Sequence, residues 1–184
     1  MTAIQERFKQ ITTFIFDVDG VMTDGSVNAL ESGEQYRTFN IKDGYAIERA
    51  IFSGYRVAIL SAGSQVGVRK RLEFLKIKDV MMGGPTDQKI HAYLGYLNQH
   101  KISEEEVLYM GDDIPDFPVL RRPNLLSTCP ADAVDEIQAV CNYISPKGGG
   151  QGAVRDVIEQ VMKAQNKWLS WVSNDQPFAL HNEK

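Results

Sequence analysis

The stretch Phe14-Ile-Phe-Asp-Val-Asp-Gly-Val-Met-Thr-Asp24 decides how this chain is read. A short apolar run stops at two carboxylates, Asp17 and Asp19, and Gly20 lets the chain turn. A strand that ends in acids presents them where open α/β sheets bind their ligands. One carboxylate there can attack phosphorus, and a second can handle the proton. The same letters also suit an ordinary turn rich in Asp and Gly. The rest of the chain must therefore say which it is.

Outward from this run, short apolar segments alternate with amphipathic ones. Strands are expected at Thr12–Phe16, Arg56–Leu60, Asp79–Met82, Val107–Met110, Asn124–Ser127 and Asn142–Ile144. Helices are expected at Asp43–Ser53, Ser64–Leu75, Thr86–Gln99, Ile114–Arg121, Ala131–Val140 and Gly152–Gln165. Such alternation predicts βαβ crossovers, hence an α/β fold: a Rossmann-like, doubly wound parallel sheet. Ser103 and Glu106 have capping-box spacing, but the apolar run Val107–Met110 follows at once, so they read as a turn into a strand. Residues 21–40 break the rhythm and read as a β-hairpin inserted after the first strand, with its turn near Glu31–Glu34. The insertion is too short for a separate cap domain. Pro146–Gly152 reads as a flexible loop. The expected division is one domain over 1–167 and a tail over 168–184 that carries Trp168 and Trp171.

The 184 residues suit one domain with a sizeable core. With 20 Lys and Arg against 24 Asp and Glu, and no long basic run, nothing favours nucleic acid or an anionic membrane surface. No apolar stretch approaches the ~20 residues of a membrane span. The N-terminal residues lack a basic-then-apolar leader pattern, so a cytoplasmic location is expected. Cys129 and Cys141 have no metal or redox spacing and read as buried thiols.

Three later strand ends supply what the acidic pair lacks. Ser61-Ala-Gly-Ser64 puts a hydroxyl and backbone N–H groups ahead of a helix, a natural anion site, with Ser64 expected as that helix's N-cap. Lys89 stands early in the helix after Asp79–Met82. Gly111-Asp-Asp-Ile-Pro-Asp116 sets three carboxylates within five residues. They repel one another unless a cation or a lysine lies between them. Hard oxygen donors of this kind suit magnesium.

Asp-x-Asp-Gly, Ser61, Lys89 and Gly-Asp-Asp-x-x-Asp, in that order, resemble the haloacid dehalogenase superfamily of aspartate-dependent phosphotransferases over residues 12–165. The hairpin in place of a cap, Asn40-Ile-Lys-Asp-Gly44 and Gly149-Gly-Gln-Gly-Ala-Val-Arg155 are similar to the 3-deoxy-D-manno-octulosonate 8-phosphate phosphatase family. The resemblance implies Asp17 as nucleophile and Asp19 as acid and base. It implies magnesium held by Asp17, the Asp19 carbonyl and Asp112, with Asp113 and Asp116 behind them and Asp116 orienting Lys89. Ser61, the Ala62 amide and Lys89 would grip the phosphoryl oxygens. Asn40, Ile41, Lys42, Asp43, Gly44 and Arg71 would meet a phosphorylated sugar acid. A homotetramer whose neighbouring subunits close the site, serving lipopolysaccharide sugar synthesis, is also implied.

Two positions depart from the family pattern. Ala62-Gly-Ser64 carries no arginine after the motif serine, and Gln151 stands where the family commonly has arginine. A charged hydrogen bond contributes about 1.5–3 kcal/mol, so the sugar is left open. A nonulosonate 9-phosphate phosphatase of the same subfamily is the nearest alternative. An oligomeric sugar-binding module without catalysis is the alternative of another class.

Overall fold

A computed structural model describes residues 3–170. Six parallel strands make the main sheet: β1 (Thr13–Phe16), β4 (Arg56–Ser61), β5 (Asp79–Met82), β6 (Val107–Met110), β7 (Leu126–Cys129) and β8 (Tyr143–Ile144), in the order β5-β4-β1-β6-β7-β8. β1 is central, with Phe16 opposite Ile59 on one side and Met110 on the other. The chain lays β4 and β5 on one side of β1, then crosses to lay β6, β7 and β8 on the other. This reversal places a crevice at the carboxyl ends of β1, β4 and β6, where doubly wound sheets bind ligands.

The two-residue period of the strands sorts the core into two layers. Phe14 and Phe16, Val57 and Ile59, and Leu108 and Met110 face one layer. Ile15, Ala58 and Leu60, and Val107 and Tyr109 face the other. Over the first lie α2 (Ile41–Phe52), α3 (Val66–Phe74), α7 (Ala153–Ala164) and an N-terminal helix, α1 (Ala3–Gln10). Over the second lie α4 (Lys89–His100), α5 (Phe117–Leu120) and α6 (Asp135–Gln138). Both faces of the central strands are thus dry, which explains their near-continuous apolar runs. α1 has no counterpart in the sequence reading; its low mean hydropathy hides a single buried anchor, Phe8.

The hairpin is present as β2 (Asn28–Ala29) paired antiparallel with β3 (Gln35–Tyr36). Both strands are exposed, and the turn falls where Gly33 adopts φ +84°. Several boundaries shift. Ser64 is not the cap of α3: Gln65 stays extended at ψ 133°, and the helix opens two residues beyond Ser64 without a side-chain cap. β5 is a half-buried edge strand. The helix expected over Thr86–Gln99 opens as a 3₁₀ turn, Thr86–Gln88, before α4. Ala131–Val140 is regular helix only over α6.

Pro146–Gly152 is pinned rather than loose. Gly150 N donates to Val21 O at 2.9 Å, and Gly149 N to Asp132 Oδ1 at 2.9 Å. A Cβ on Gly149 would sit 1.9 Å from the Gly20 carbonyl oxygen. Glycine is required there because two backbones touch, and the loop buttresses the acidic turn. Trp168 packs against the core beneath the Arg155 guanidinium, while Trp171 lies outside the described residues. Cys129 is buried and Cys141 half-buried, both as free thiols. Among the described residues, no helix is long and apolar enough to cross a membrane.

Candidate active site

The crevice is lined by Asp17, Asp19, Ser61, Ala62, Lys89, Asp112, Asp113 and Asp116, with a free volume of about 250 Å³. β1 ends at Phe16, and Asp17 N still bonds to Met110 O at 3.0 Å, so the first acid is locked to the sheet. Beyond it the chain turns sharply through Gly20, at φ +78°, and three successive amides from Val21 to Thr23 bond to Val18 O. A Cβ on Gly20 would stand 1.9 Å from Asp112 Oδ2. Glycine therefore serves two needs here, a left-handed turn and close approach to a second acid.

Lys89 is the hub. Its side chain is only 5% exposed, and its ammonium bonds to Asp17 Oδ2 at 2.6 Å and to Asp116 Oδ1 at 2.8 Å. Asp116 is fully buried and also accepts from the Tyr109 hydroxyl and from Asp112 N, the latter at 3.3 Å. Asp17 Oδ1 accepts from Val18 N at 2.7 Å. Asp116 thus holds Lys89 against Asp17. Asp113 is at the rim, where its own side chain caps the turn through Ile114 N at 2.7 Å. Ser61 is buried at the end of β4, its Oγ accepting from Gly63 N at 3.2 Å.

Carboxylate oxygens of Asp17, Asp112 and Asp116 lie within 4.8 Å of one another. Burial, then the charge of Asp116, pushes Asp17 up to about 7 despite the opposing pull of Lys89. Burial and the charges of Asp116 and Asp17 push Asp112 up to about 8. One ammonium therefore does not neutralise three acids. A hard divalent cation among these oxygens would supply the missing charge, and the donor set fits magnesium.

The expected sugar-contacting residues form a separate group. Asn40 caps α2 through Lys42 N at 2.8 Å and donates to Gly150 O at 3.0 Å. Asp43 is 1% exposed, and its Oδ1 accepts from Arg155 N at 2.8 Å, so it caps α7 instead of facing the crevice. Gly44 packs against the Arg71 guanidinium, 2.6 Å from where a Cβ would be. Ile41 and Lys42 are exposed on the first turn of α2. None of these six, Arg71 included, lines the crevice around Asp17.

Two groups at the site were missed from sequence. Tyr109 was discoverable, since an inward tyrosine near a strand's end needs a partner for its hydroxyl. Arg37, just past the hairpin, binds Asp19 through Nε at 2.7 Å and Nη2 at 3.4 Å. No local signal marks it, because exposed hairpins commonly carry arginine.

No family model matches the chain. It is 34% identical over 166 residues to the 3-deoxy-D-manno-octulosonate 8-phosphate phosphatase KdsC of Salmonella typhi, covering 90% of this chain and 87% of the relative. The phosphatase of that name from Yersinia pestis superimposes with a TM-score of 0.86 at 34% identity, over 91% of this chain and 89% of the other. The one from Moraxella catarrhalis, solved with magnesium, phosphate and KDO, gives 0.89 at 31% identity, over 96% and 99%. With identity above 30% across nine-tenths of its length, the chain belongs to the 3-deoxy-D-manno-octulosonate 8-phosphate phosphatase family of the haloacid dehalogenase superfamily.

Proposed function

We propose that this protein is a magnesium-dependent phosphatase that hydrolyses a phosphorylated 3-deoxy sugar acid, 3-deoxy-D-manno-octulosonate 8-phosphate, through an aspartyl-phosphate. The observation that carries the reading is the Lys89 ammonium held between Asp17 and Asp116, with Asp112 and Ser61 in the same crevice. A module that only bound sugar would have no use for a buried carboxylate so positioned.

Asp17 attacks phosphorus, forming an oxygen–phosphorus bond as the bond to the sugar oxygen breaks. Asp19 gives that oxygen its proton. Asp19 then takes a proton from water as the water attacks phosphorus and frees Asp17. Ser61, the Ala62 amide and Lys89 hold the phosphoryl oxygens, while Asp116 and Tyr109 keep Lys89 in place. Asp17, the Asp19 carbonyl and Asp112 would hold magnesium, with Asp113 and Asp116 behind them. When bound, it offsets the repulsion between an anionic nucleophile and an anionic phosphate. Asn40, Ile41, Lys42, Gly44 and Arg71 would act at the sugar end, with Asp43 fixing the first turn of α2 against α7 beside them.

A cytoplasmic homotetramer in lipopolysaccharide sugar synthesis completes the reading. Exposed Val27, Leu30 and Tyr36 on the hairpin, Ile41 at the start of α2, and Val66 and Phe74 on α3 support subunit contacts. Light scattering on the purified protein tests the subunit count. The absence of a cation in Ala62-Gly-Ser64 keeps a nonulosonate 9-phosphate as the second candidate substrate.

The deciding experiment is a panel of phosphorylated sugar acids ranked by kcat/KM with and without magnesium. The octulosonate ester should rank first and only with the metal. Preference for an unrelated phosphate ester would reject the assignment. Asp17→Asn should abolish turnover and leave the circular dichroism spectrum intact; a near-normal rate would sink the covalent route.

A further inference from the structure

Arg37 brings against Asp19, at the edge of the crevice, a cation that none of the four sequence motifs contains. It follows β3 directly, so the hairpin delivers it. Two of its guanidinium nitrogens bind Asp19, at 2.7 and 3.4 Å. The side chain is 5% exposed, yet its third nitrogen, Nη1, is buried with no hydrogen-bond partner among the described residues. Guanidinium offers five donors and no acceptor, and a buried N–H without an acceptor is costly. Such a group calls for an oxygen from outside the chain.

Its surroundings say which oxygen. Asp19 keeps a side chain 40% exposed and lines the crevice beside Gly20 and Gly25. On the reading above, it meets the oxygen that leaves phosphorus. The cation that lines the crevice, Lys89, is taken up by Asp17 and Asp116 on the phosphoryl side, which leaves Arg37, behind Asp19, on the other. The loop Ser61–Ser64 adds no cation.

We propose that Arg37 is a specificity-determining residue: Nη1 donates to an oxygen of the leaving group, hydroxyl or carboxylate, while Nε and Nη2 keep Asp19 aimed at the ester. The proposal rests on the phosphatase reading and extends it. A planar fork suits this double task, since one edge can hold a carboxylate while the remaining N–H meets a second acceptor. The hairpin thereby supplies leaving-group recognition to the site.

The test compares kcat/KM on 3-deoxy-D-manno-octulosonate 8-phosphate, glucose 6-phosphate and 4-nitrophenyl phosphate, whose leaving group lacks sugar oxygens. In Arg37→Ala the preference for the sugar-acid ester over the aryl ester should fall ten- to a hundredfold, mainly through KM. Arg37→Lys, with a charge but no fork, should recover part of it. Loss shared by glucose 6-phosphate assigns the contact to a hydroxyl, and loss confined to the acid assigns it to the carboxylate. Equal losses on sugar-acid and aryl esters would overturn the proposal, because Arg37 would then act through Asp19 alone. An unchanged preference would overturn it as well. A wild type without preference for the sugar-acid ester over the aryl ester refutes the substrate reading itself, a result visible before any variant is made. Should Arg37→Ala fail to fold, Arg37→Gln and Arg37→Lys carry the same comparison.

Discussion

Asp112→Asn should make the metal-free protein more stable and the enzyme inactive. Asp112 stands at about 8 against an ordinary 3.8, raised by burial and by Asp116 and Asp17. In the folded protein it therefore keeps its proton over a range where the unfolded chain has lost it. The cost to folding is absent below about pH 4, grows as pH rises, and is complete above about 8. Four units at about 1.36 kcal/mol each would be roughly 5 kcal/mol. Asp112 is only half-buried, and screening by solvent reduces this to about 2 kcal/mol.

Asparagine removes that cost. In EDTA at pH 8 the melting temperature should rise by about 4–8 °C, at roughly 2–4 °C per kcal/mol for a chain of this size. The gain should shrink steadily toward pH 4. Magnesium should raise the wild-type melting temperature and barely move that of the variant. Loss of metal stabilisation should lower kcat/KM by more than about a hundredfold. Differential scanning fluorimetry across pH, with and without magnesium, reads all of this. A variant less stable than wild type in EDTA at pH 8, or a gain independent of pH, would refute the charge-cluster reasoning.

Gly20→Ala must carry a Cβ at φ +78° against the Asp112 carboxylate. It should lose about 1–2 kcal/mol of stability and raise the magnesium concentration for half-activity about tenfold; an unchanged magnesium dependence would remove Asp112 from the metal set. Asp43→Ala deletes the cap on α7 and should cost about 1 kcal/mol in denaturant unfolding, with kcat/KM changed by less than about threefold. A raised KM with intact stability would return Asp43 to the substrate.

The main strands and the acidic turn were legible because each rests on a local pattern. Phe14–Phe16 is apolar on both faces and ends in acid, and Val107–Met110 repeats the theme before Gly111. What failed was either weakly patterned or nonlocal. α1 has one buried anchor, and α3 starts late because Gln65 remains extended. Asp43 looked available for substrate, yet the N-terminus of a helix more than a hundred residues away claims it. The Gly-rich loop looked loose because its partners, the Gly20 carbonyl and Val21 O, lie far back in the chain.

The order of residue types along the chain determined the sheet, the pairing of Asp17 with Asp19, and the presence of Ser61 and Asp112 at two further strand ends and of Lys89 in the helix that follows a third. Strand periodicity and turn chemistry act over a few residues, so sequence can express them. Only the tertiary structure decided that Tyr109 braces Asp116 behind Lys89, that Lys89 lies against Asp17, and that Arg37 reaches Asp19. Tertiary packing likewise decided that Asn40–Gly44 and Arg71 stand apart from the crevice. Those outcomes depend on burial and on charges brought together across 18 to 72 positions of chain, and both exist only once the sheet has closed its two layers.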